Sequence, residues 1–406
     1  MFTKKLKMKS QFTKNILIFL FFLFFYLLRL YFLPRLDIPQ GKAVKIRGLV
    51  TQQTYHKDSK QIIRLGPVFI STNLYPGYFY GDWLLVTGSF KETVINPFYS
   101  QYYASFPAIQ LEKADSGLIG KTVLTRFLLK ARGQIENRIK RFLPENESGL
   151  LLGVLLGVKT DLPENFWQSL RKTGTLHLIV ASGQNVVFVA SIIISLGLLF
   201  LSRKKALVLT LVFIFLYVLM AGGEAPVVRA GLMVGLAFSS QFFGREGDSL
   251  RFLLISGSLM LLISPLMLFD IGFQLSFSSV LAIIFLYPRL RVLFGLDNIE
   301  IKPIRFFLDG FIVSLSAWLG TLGLILYHFR IFSPITVIAN IFIVPLATVI
   351  TLAGFSLVSL GFVAPMLAHL CAHTCELIIV LLLTVNSLLA KIPGASFNLS
   401  RTFPPF

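Results

Sequence analysis

Acid is what this chain is shortest of: 19 Asp and Glu stand against 38 Lys and Arg, for a net charge of +19 over 406 residues. No pair of carboxylates is spaced for general acid–base work, and no His/Asp-rich motif offers a metal cage. There is no phosphate-binding glycine loop and no ATP-hydrolysing signature. Cysteine is almost missing as well. Cys371 and Cys375 lie in one apolar helix, so no disulfide framework points to an oxidising compartment. Long stretches without an apolar span are absent except between residues 39 and 115.

What remains is apolar: 55% of residues are hydrophobic, 40 of them Phe, with a mean hydropathy of +0.76. Soluble domains lie nearer roughly 45–50%. Apolar runs of about twenty residues recur, enough to cross a bilayer, so the chain reads as an integral membrane protein with several spanning helices. The positive charge admits two readings. One is positive-inside topology and contact with anionic membrane lipid. The other is a polyanionic partner such as nucleic acid.

The N-terminus is basic, with Lys4, Lys5, Lys7, Lys9 and Lys14 and no acid. Ile16–Leu33 is apolar apart from Arg29, and Leu33-Pro34-Arg35 follows where a cleavage site would need small residues. The expectation is a signal anchor with a cytoplasmic N-terminus. Residues 39–115 alternate short β-rich runs with turns. The runs at 43–50, 61–70, 82–90 and 106–112 are strand candidates, punctuated by Pro76-Gly77, Gly81-Asp82 and Asn96-Pro97. Such strands fit a small all-β barrel or sandwich of OB-like type. Tyr55, Tyr75, Tyr78, Tyr80, Trp83, Tyr99, Tyr102 and Tyr103 interleave there with Lys45, Arg47, Lys57, Lys60 and Arg64. Bases stack on rings while cations track phosphates, which suits single-stranded DNA. Strand propensity and membrane-interface anchoring are the competing reading.

Lys121–Leu143 has helical period, with Arg126, Lys130 and Arg138 among its cations. It reads as a basic amphipathic helix on a membrane surface, within a segment at 116–145. Gly149–Val158 is apolar but too short to span, so an interfacial or re-entrant piece is expected. From there spans crowd together near 176–201, 206–221, 228–243, 251–268, 271–287, 308–327, 335–360 and 366–390. With Ile16–Leu33 they make nine. Arg203, Lys204, Lys205, Arg245, Arg251, Arg289, Arg291, Lys302 and Arg305 then fall in cytoplasmic loops, the asymmetry the positive-inside rule predicts. The β domain falls outside the cytoplasm.

Polar groups at membrane depth are costly unless they face a bundle interior or a wet cavity. The stretch TGTLHLIVASGQNVVFVA, residues 173–190, concentrates them: His177, Ser182, Gly183, Gln184 and Asn185. It predicts a helix that starts discontinuously beside a polar site. Glu224-Ala225-Pro226 opens another span, with Arg229 one turn in. A central membrane arginine costs roughly 2.5–3.5 kcal/mol on insertion scales, so it calls for a partner: Glu224, a backbone carbonyl or a passing phosphate. Gln274 and Ser278 share a face four residues apart, where they serve interhelical hydrogen bonding or a polar stripe. Asn340 with Pro345 marks a kinkable span, structural or pore-lining.

Two enzyme-like readings also arise from the residues. His369, Cys371, His373 and Cys375 form two i, i+4 pairs on nearly opposite helix faces, which cannot converge on one metal. Ser182 could be a nucleophile, but His177 is about 140° away on a continuous helix, so the base would be His328, His369 or His373. Val180-Ala181-Ser182-Gly183 lacks the first glycine of a G-x-S-x-G elbow. No catalytic residue, metal or cofactor is therefore expected.

Five motifs in order resemble the ComEC/Rec2 family of competence proteins. TGTLHLIVASGQNV looks like its G-x-x-H-L-x-A-x-S-G-x-[HN] segment, and APVVRAGLM like its P-x-x-R-A signature. FDIGFQLSFSSVLAI resembles its G-F-Q-L-S-F segment, and FRIFSPITVIANIFIVPL its A-N-x-x-x-x-P segment. GDWLLVTGSF and NPFYSQYYASF look like the end of its OB-like domain. The resemblance spans roughly residues 16–395. It implies an inner-membrane channel passing single-stranded DNA into the cytoplasm during natural transformation. It also implies a DNA receptor, a separate nuclease and a cytoplasmic helicase-like motor as partners. His177, Ser182, Gln184, Asn185, Arg229, Gln274 and Asn340 are carried over as channel-lining positions. Lys57, Lys60, Arg64, Tyr75, Tyr78, Tyr80, Arg126, Lys130 and Arg138 are the DNA-binding candidates. Full-length relatives often carry a C-terminal metallo-β-lactamase-like domain; this sequence, ending at Phe406, is expected to be a short form without it. The competing functions are a membrane transporter of another substrate and an intramembrane serine hydrolase.

Overall fold

Along Lys60–Leu65, Val68–Asn73 and Trp83–Gly88 side chains alternate between a buried and an open face, and that period of two builds the strands. The computed structural model describes residues 23–32, 38–39, 41–50, 54–57, 60–78, 82–96, 99–112, 119–158, 163–178, 182–244 and 248–399. It divides into two units, 33–162 and the remainder.

In the first unit the strands are β1 (Val44–Leu49), β2 (Tyr55–Lys57), β3 (Lys60–Leu65), β4 (Val68–Asn73), β5 (Trp83–Gly88), β6 (Lys91–Asn96), β7 (Tyr99–Ser105) and β8 (Ala108–Glu112). One sheet has the order β1-β5-β8; the other has β2-β3-β4-β7-β6, with β4 and β7 parallel and every other pairing antiparallel. Ile63, Leu65, Val68, Ile70, Leu84, Val86, Phe90, Tyr102 and Ala104 form its core. The expected strand at 61–70 is two strands, split by a two-residue turn at Gly66-Pro67. Proline cannot donate to the ladder, and it closes a hairpin instead. β2, β6 and β7 were not among the expected strands.

Two helices complete this unit. α2 (Ile119–Phe142) is the expected basic helix, and on it Arg132 is buried against Glu136, Nε to Oε1 2.9 Å. α3 (Glu145–Leu156) contains the apolar segment expected to be interfacial or re-entrant; its residues 148–156 are all buried.

The second unit is helical. Residues 23–31 form α1, and the residues before 23 in the expected first span lie outside the described ones. There follow α4 (Glu164–Thr173), α5 (Gly183–Phe200), α6 (Arg203–Met220), α7 (Ala225–Phe242), α8 (Ser249–Ile263) and α9 (Ile271–Leu293). Then come α10 (Lys302–Phe329), α11 (Ile335–Val363) and α12 (Pro365–Ala390). A two-stranded ribbon pairs β9 (Ile331–Phe332) with β10 (Phe397–Asn398). Among the described residues, α5, α9, α10, α11 and α12 are long and apolar enough to cross a membrane, and α8 is a shorter apolar helix. The protein is thus mostly helical, membrane-spanning in character, with an N-terminal β region.

Sequence chemistry sets the helix starts. Asp248 and Asp270 cap α8 and α9, each accepting a backbone N–H (Leu250, 3.0 Å; Phe273, 2.8 Å). Pro226 sits in the first turn of α7, where its missing N–H costs nothing. α4 ends at Gly174, whose φ of +69° a side chain would resist and whose Cβ would strike Thr336 Oγ1. A buried polar lock holds α4 to α12. Asn386 Oδ1 accepts from Thr173 Oγ1 (2.7 Å) and Thr175 Oγ1 (3.1 Å), and Asn386 Nδ2 donates to Ser169 Oγ (2.9 Å).

Candidate functional site

The stretch singled out in the sequence divides in two. Its first half is structural: Thr173 and Thr175 belong to the Asn386 lock, and Gly174 is the cap of α4. His177 lies on a 3-10 turn, Leu176–Leu178, exposed, with Nδ1 3.3 Å from the Gly174 carbonyl. It makes no hydrogen bond to another of the expected channel residues. Residues 179–181 lie outside the described ones.

Its second half opens α5. Ser182 is the N-cap residue in extended conformation, and its hydroxyl donates to Asn185 Oδ1 at 3.3 Å. No histidine hydrogen-bonds to it among the described residues, so the base of the hydrolase reading is not seen beside it. Gly183 is needed for close approach: a Cβ there would stand 3.0 Å from Ala230 Cβ and 3.4 Å from the Arg229 guanidinium of α7. Gln184 Nε2 donates to Thr348 Oγ1 of α11 at 2.7 Å, just beyond Pro345. Asn185 is buried and hydrogen-bonds the Tyr217 phenol of α6. The start of one helix is therefore tied to three others.

Arg229 is the centre of this cluster. One guanidinium nitrogen donates to the backbone carbonyl of Ser276 in α9. Its Nε is buried without a partner, and so is Ser276 Oγ. Among the described residues no carboxylate pairs with it. Of the two protein partners expected from sequence, Glu224 and a backbone carbonyl, the carbonyl is the one that bonds it. A neutral carbonyl does not cancel a charge, and a buried cation without an anion is costly. The first turn of α5 adds the positive end of its dipole nearby. The arrangement is rich in donors and positive, suited to an oxyanion.

The other expected positions are held by neighbours. Gln274 Oε1 lies 2.9 Å from His328 Nε2 of α10, and its Nε2 donates to the Leu268 carbonyl at 2.9 Å. Asn340 Nδ2 donates to Ser314 Oγ at 3.1 Å, while its Oδ1 is buried without a partner. Ser182, Gly183, Arg229 and Ser276 come together; His177 and Asn340 do not bond to that group.

On the β unit the candidates separate further. Lys60 is exposed, its ammonium 5.3 Å from the Phe106 ring centroid. The Arg64 guanidinium lies 5.0 Å from the Phe69 centroid, and Phe69 stacks on Tyr103 at 5.2 Å. The register explains this row: Arg64 pairs Phe69 across β3 and β4, and Phe69 pairs Tyr103 across β4 and β7. Tyr75 is 87% exposed. Tyr78 must be corrected. Only 6% of it is exposed, it belongs to the core, and burial raises the pKa of its phenol, so its ring is not available for stacking. Its carbonyl accepts from Gln61 Nε2 (2.9 Å) and Thr54 Oγ1 (2.8 Å), which pins the loop inward. Tyr80 and the side chains of Lys57 and Arg126 lie outside the described residues. Lys130 is exposed on α2 and Arg138 half-buried. Phe69 was missed. Its signal was the alternation in Val68-Phe69-Ile70, which turns Phe69 away from a core holding its two neighbours.

Comparison with known proteins bears on the helical unit. The family described as Competence protein matches residues 154–406. ComE operon protein 3 of Bacillus subtilis (strain 168) is 30% identical over 234 residues, 56% of this chain and 28% of that protein. Recombination protein 2 of Haemophilus influenzae is 25% identical over 183 residues, 39% of this chain and 23% of that protein. These matches thus take in about a quarter of each relative's length. No solved structure matches.

Proposed function

Because the chain belongs to the competence protein family, we propose that it works in DNA uptake, as an inner-membrane channel passing single-stranded DNA into the cytoplasm. The observation that carries this reading is Arg229, a buried cation without a carboxylate at the donor-rich start of α5. A phosphodiester passing there supplies the missing charge for the length of its stay, and because each phosphate is replaced by the next, the site never needs a permanent anion. Gln184, Asn185, Ser182, Gln274, Asn340 and His177 are the further polar positions of the proposed path.

The β unit is proposed to be OB-like and extracytoplasmic. Two small sheets that share the consecutive runs β5–β6 and β7–β8, with β4 parallel to β7, support this reading. The row Arg64–Phe69–Tyr103 gives it a stacking face with a cation at one end; Lys57, Lys60, Tyr75 and Tyr80 are proposed as further contacts to the strand. The basic helix α2, with Arg126, Lys130 and Arg138, is proposed to guide phosphates. Nine spans with a cytoplasmic N-terminus put the starts of α5, α7, α9 and α11 on the outer side, where the strand enters. No bond is cleaved by this chain in the proposed role. Strand degradation, capture and driving force come from a separate nuclease, a receptor and a cytoplasmic helicase-like motor.

Binding of a labelled deoxythymidine oligonucleotide to the full chain in nanodiscs tests the reading. Affinity is expected to fall steeply with salt, as phosphate contacts require. Absent binding, or binding indifferent to salt, contradicts it.

A further inference from the structure

The turn between α9 and α10 holds a cavity of about 240 Å³ lined by Arg291, Lys302, Arg305, Phe306 and Asp309. Two carboxylates lie in this cluster, and both are engaged. Asp297 Oδ1 accepts from Arg291 Nε (3.0 Å) and from a terminal nitrogen of the same guanidinium (2.5 Å), and it lies 3.9 Å from Arg305. Asp309 Oδ1 accepts the Tyr287 hydroxyl at 2.6 Å. Lys302 has no ion pair among the described residues. Three cations against two carboxylates, Asp297 and Asp309, leave one positive charge, and a phosphodiester carries one negative charge.

The surroundings say what kind of phosphodiester. Phe306 is 66% exposed and Phe307 51%, on the first turns of α10; Val292 and Leu293, 73% and 77% exposed, end α9. A soluble anion has no use for such a fringe. Depth agrees. α10 has 28 residues, so it is about 42 Å long at 1.5 Å per residue, against a hydrocarbon core of about 30 Å. The excess is about eight residues, and the first eight, Lys302–Asp309, carry the helix's Lys302, Arg305 and Asp309. With the excess taken up at this charged end, these residues fall at headgroup level and the phenylalanines next to the acyl region.

We propose that this cavity binds an anionic glycerophospholipid, its phosphodiester on Arg291, Lys302 and Arg305 and its acyl chains along Phe306 and Phe307. The site is separate from the Arg229 cluster and does not depend on DNA transport. The full chain is purified into nanodiscs of phosphatidylcholine with and without phosphatidylglycerol, and lipid retained on extraction is measured by native mass spectrometry. Phosphatidylglycerol is expected to be retained over phosphatidylcholine, and K302Q/R305Q to hold it roughly tenfold more weakly. K204Q/K205Q, which removes two cations from α6, leaves retention unchanged. Equal loss in K204Q/K205Q means general surface charge and overturns the proposal, as does retention unaffected by K302Q/R305Q. Displacement of the lipid by inorganic phosphate alone, or by a short oligonucleotide at equal concentration, assigns the cavity to a different anion and overturns it too.

Discussion

Asn386 stands near the end of an apolar helix and looks, in sequence, like a stray polar residue. In the structure it accepts from two threonines and donates to a serine more than 200 positions away. Its partners are an i, i+2 pair in a motif that drew attention for its histidine instead, and no local pattern links residue 386 to residue 173. Asn386→Ala is expected to lower stability by about 1–3 kcal/mol, because it removes three buried hydrogen bonds between α4 and α12; thermal unfolding in detergent checks this. Gly183 was legible as a missing side chain, but its reason, the 3.0 Å approach of Ala230, is a tertiary fact. Gly183→Val is expected to push α5 off α7 at a cost of about 1–3 kcal/mol and to reduce DNA entry more than surface DNA binding. Arg229 was legible outright, since charge at membrane depth needs explaining wherever it occurs. Which of its three partners was present was not, because carbonyl, carboxylate and ligand look alike from one side of the pair.

At the scale of elements, periodicity placed α5 and α9–α12 well, and its four strand runs covered five of the eight strands, β3 and β4 fused into one. It failed where a turn is short. The apolar run at 61–70 hides the Gly66-Pro67 hairpin, and β7 reads as a tyrosine-rich loop until its parallel partner β4 is known. That same pairing makes the row Arg64–Phe69–Tyr103, so half of the candidate stacking face was invisible in the sequence. Tyr78 shows the converse error: a tyrosine between turn residues reads as exposed, yet its loop is drawn in by Gln61 and Thr54. Replacing Phe69 and Tyr103 together by Ala is expected to weaken oligonucleotide binding about tenfold or more, since each stacked base contributes on the order of 1–3 kcal/mol. The salt dependence should be unchanged, because no phosphate contact is removed; a fluorescence titration at two ionic strengths measures both. The hydrogen bond from Gln184 to Thr348 links the start of α5 to the part of α11 past Pro345, a contact no helical period could suggest.

For the whole molecule, a basic, apolar, acid-poor chain pointed to a membrane protein and left its charge open between positive-inside topology and a polyanionic partner; the family it belongs to is that of competence proteins. The central claim is that a strand passes Arg229. Entry of labelled DNA should be measured in cells lacking the gene, and in cells restored with the parent chain or with Arg229→Ala. The account predicts loss of entry in the deletion, recovery with the parent, and loss again with Arg229→Ala while DNA still binds at the surface and the variant is present in the membrane. Entry unchanged in the deletion contradicts DNA transport itself, and full recovery with Arg229→Ala contradicts the role given to that residue.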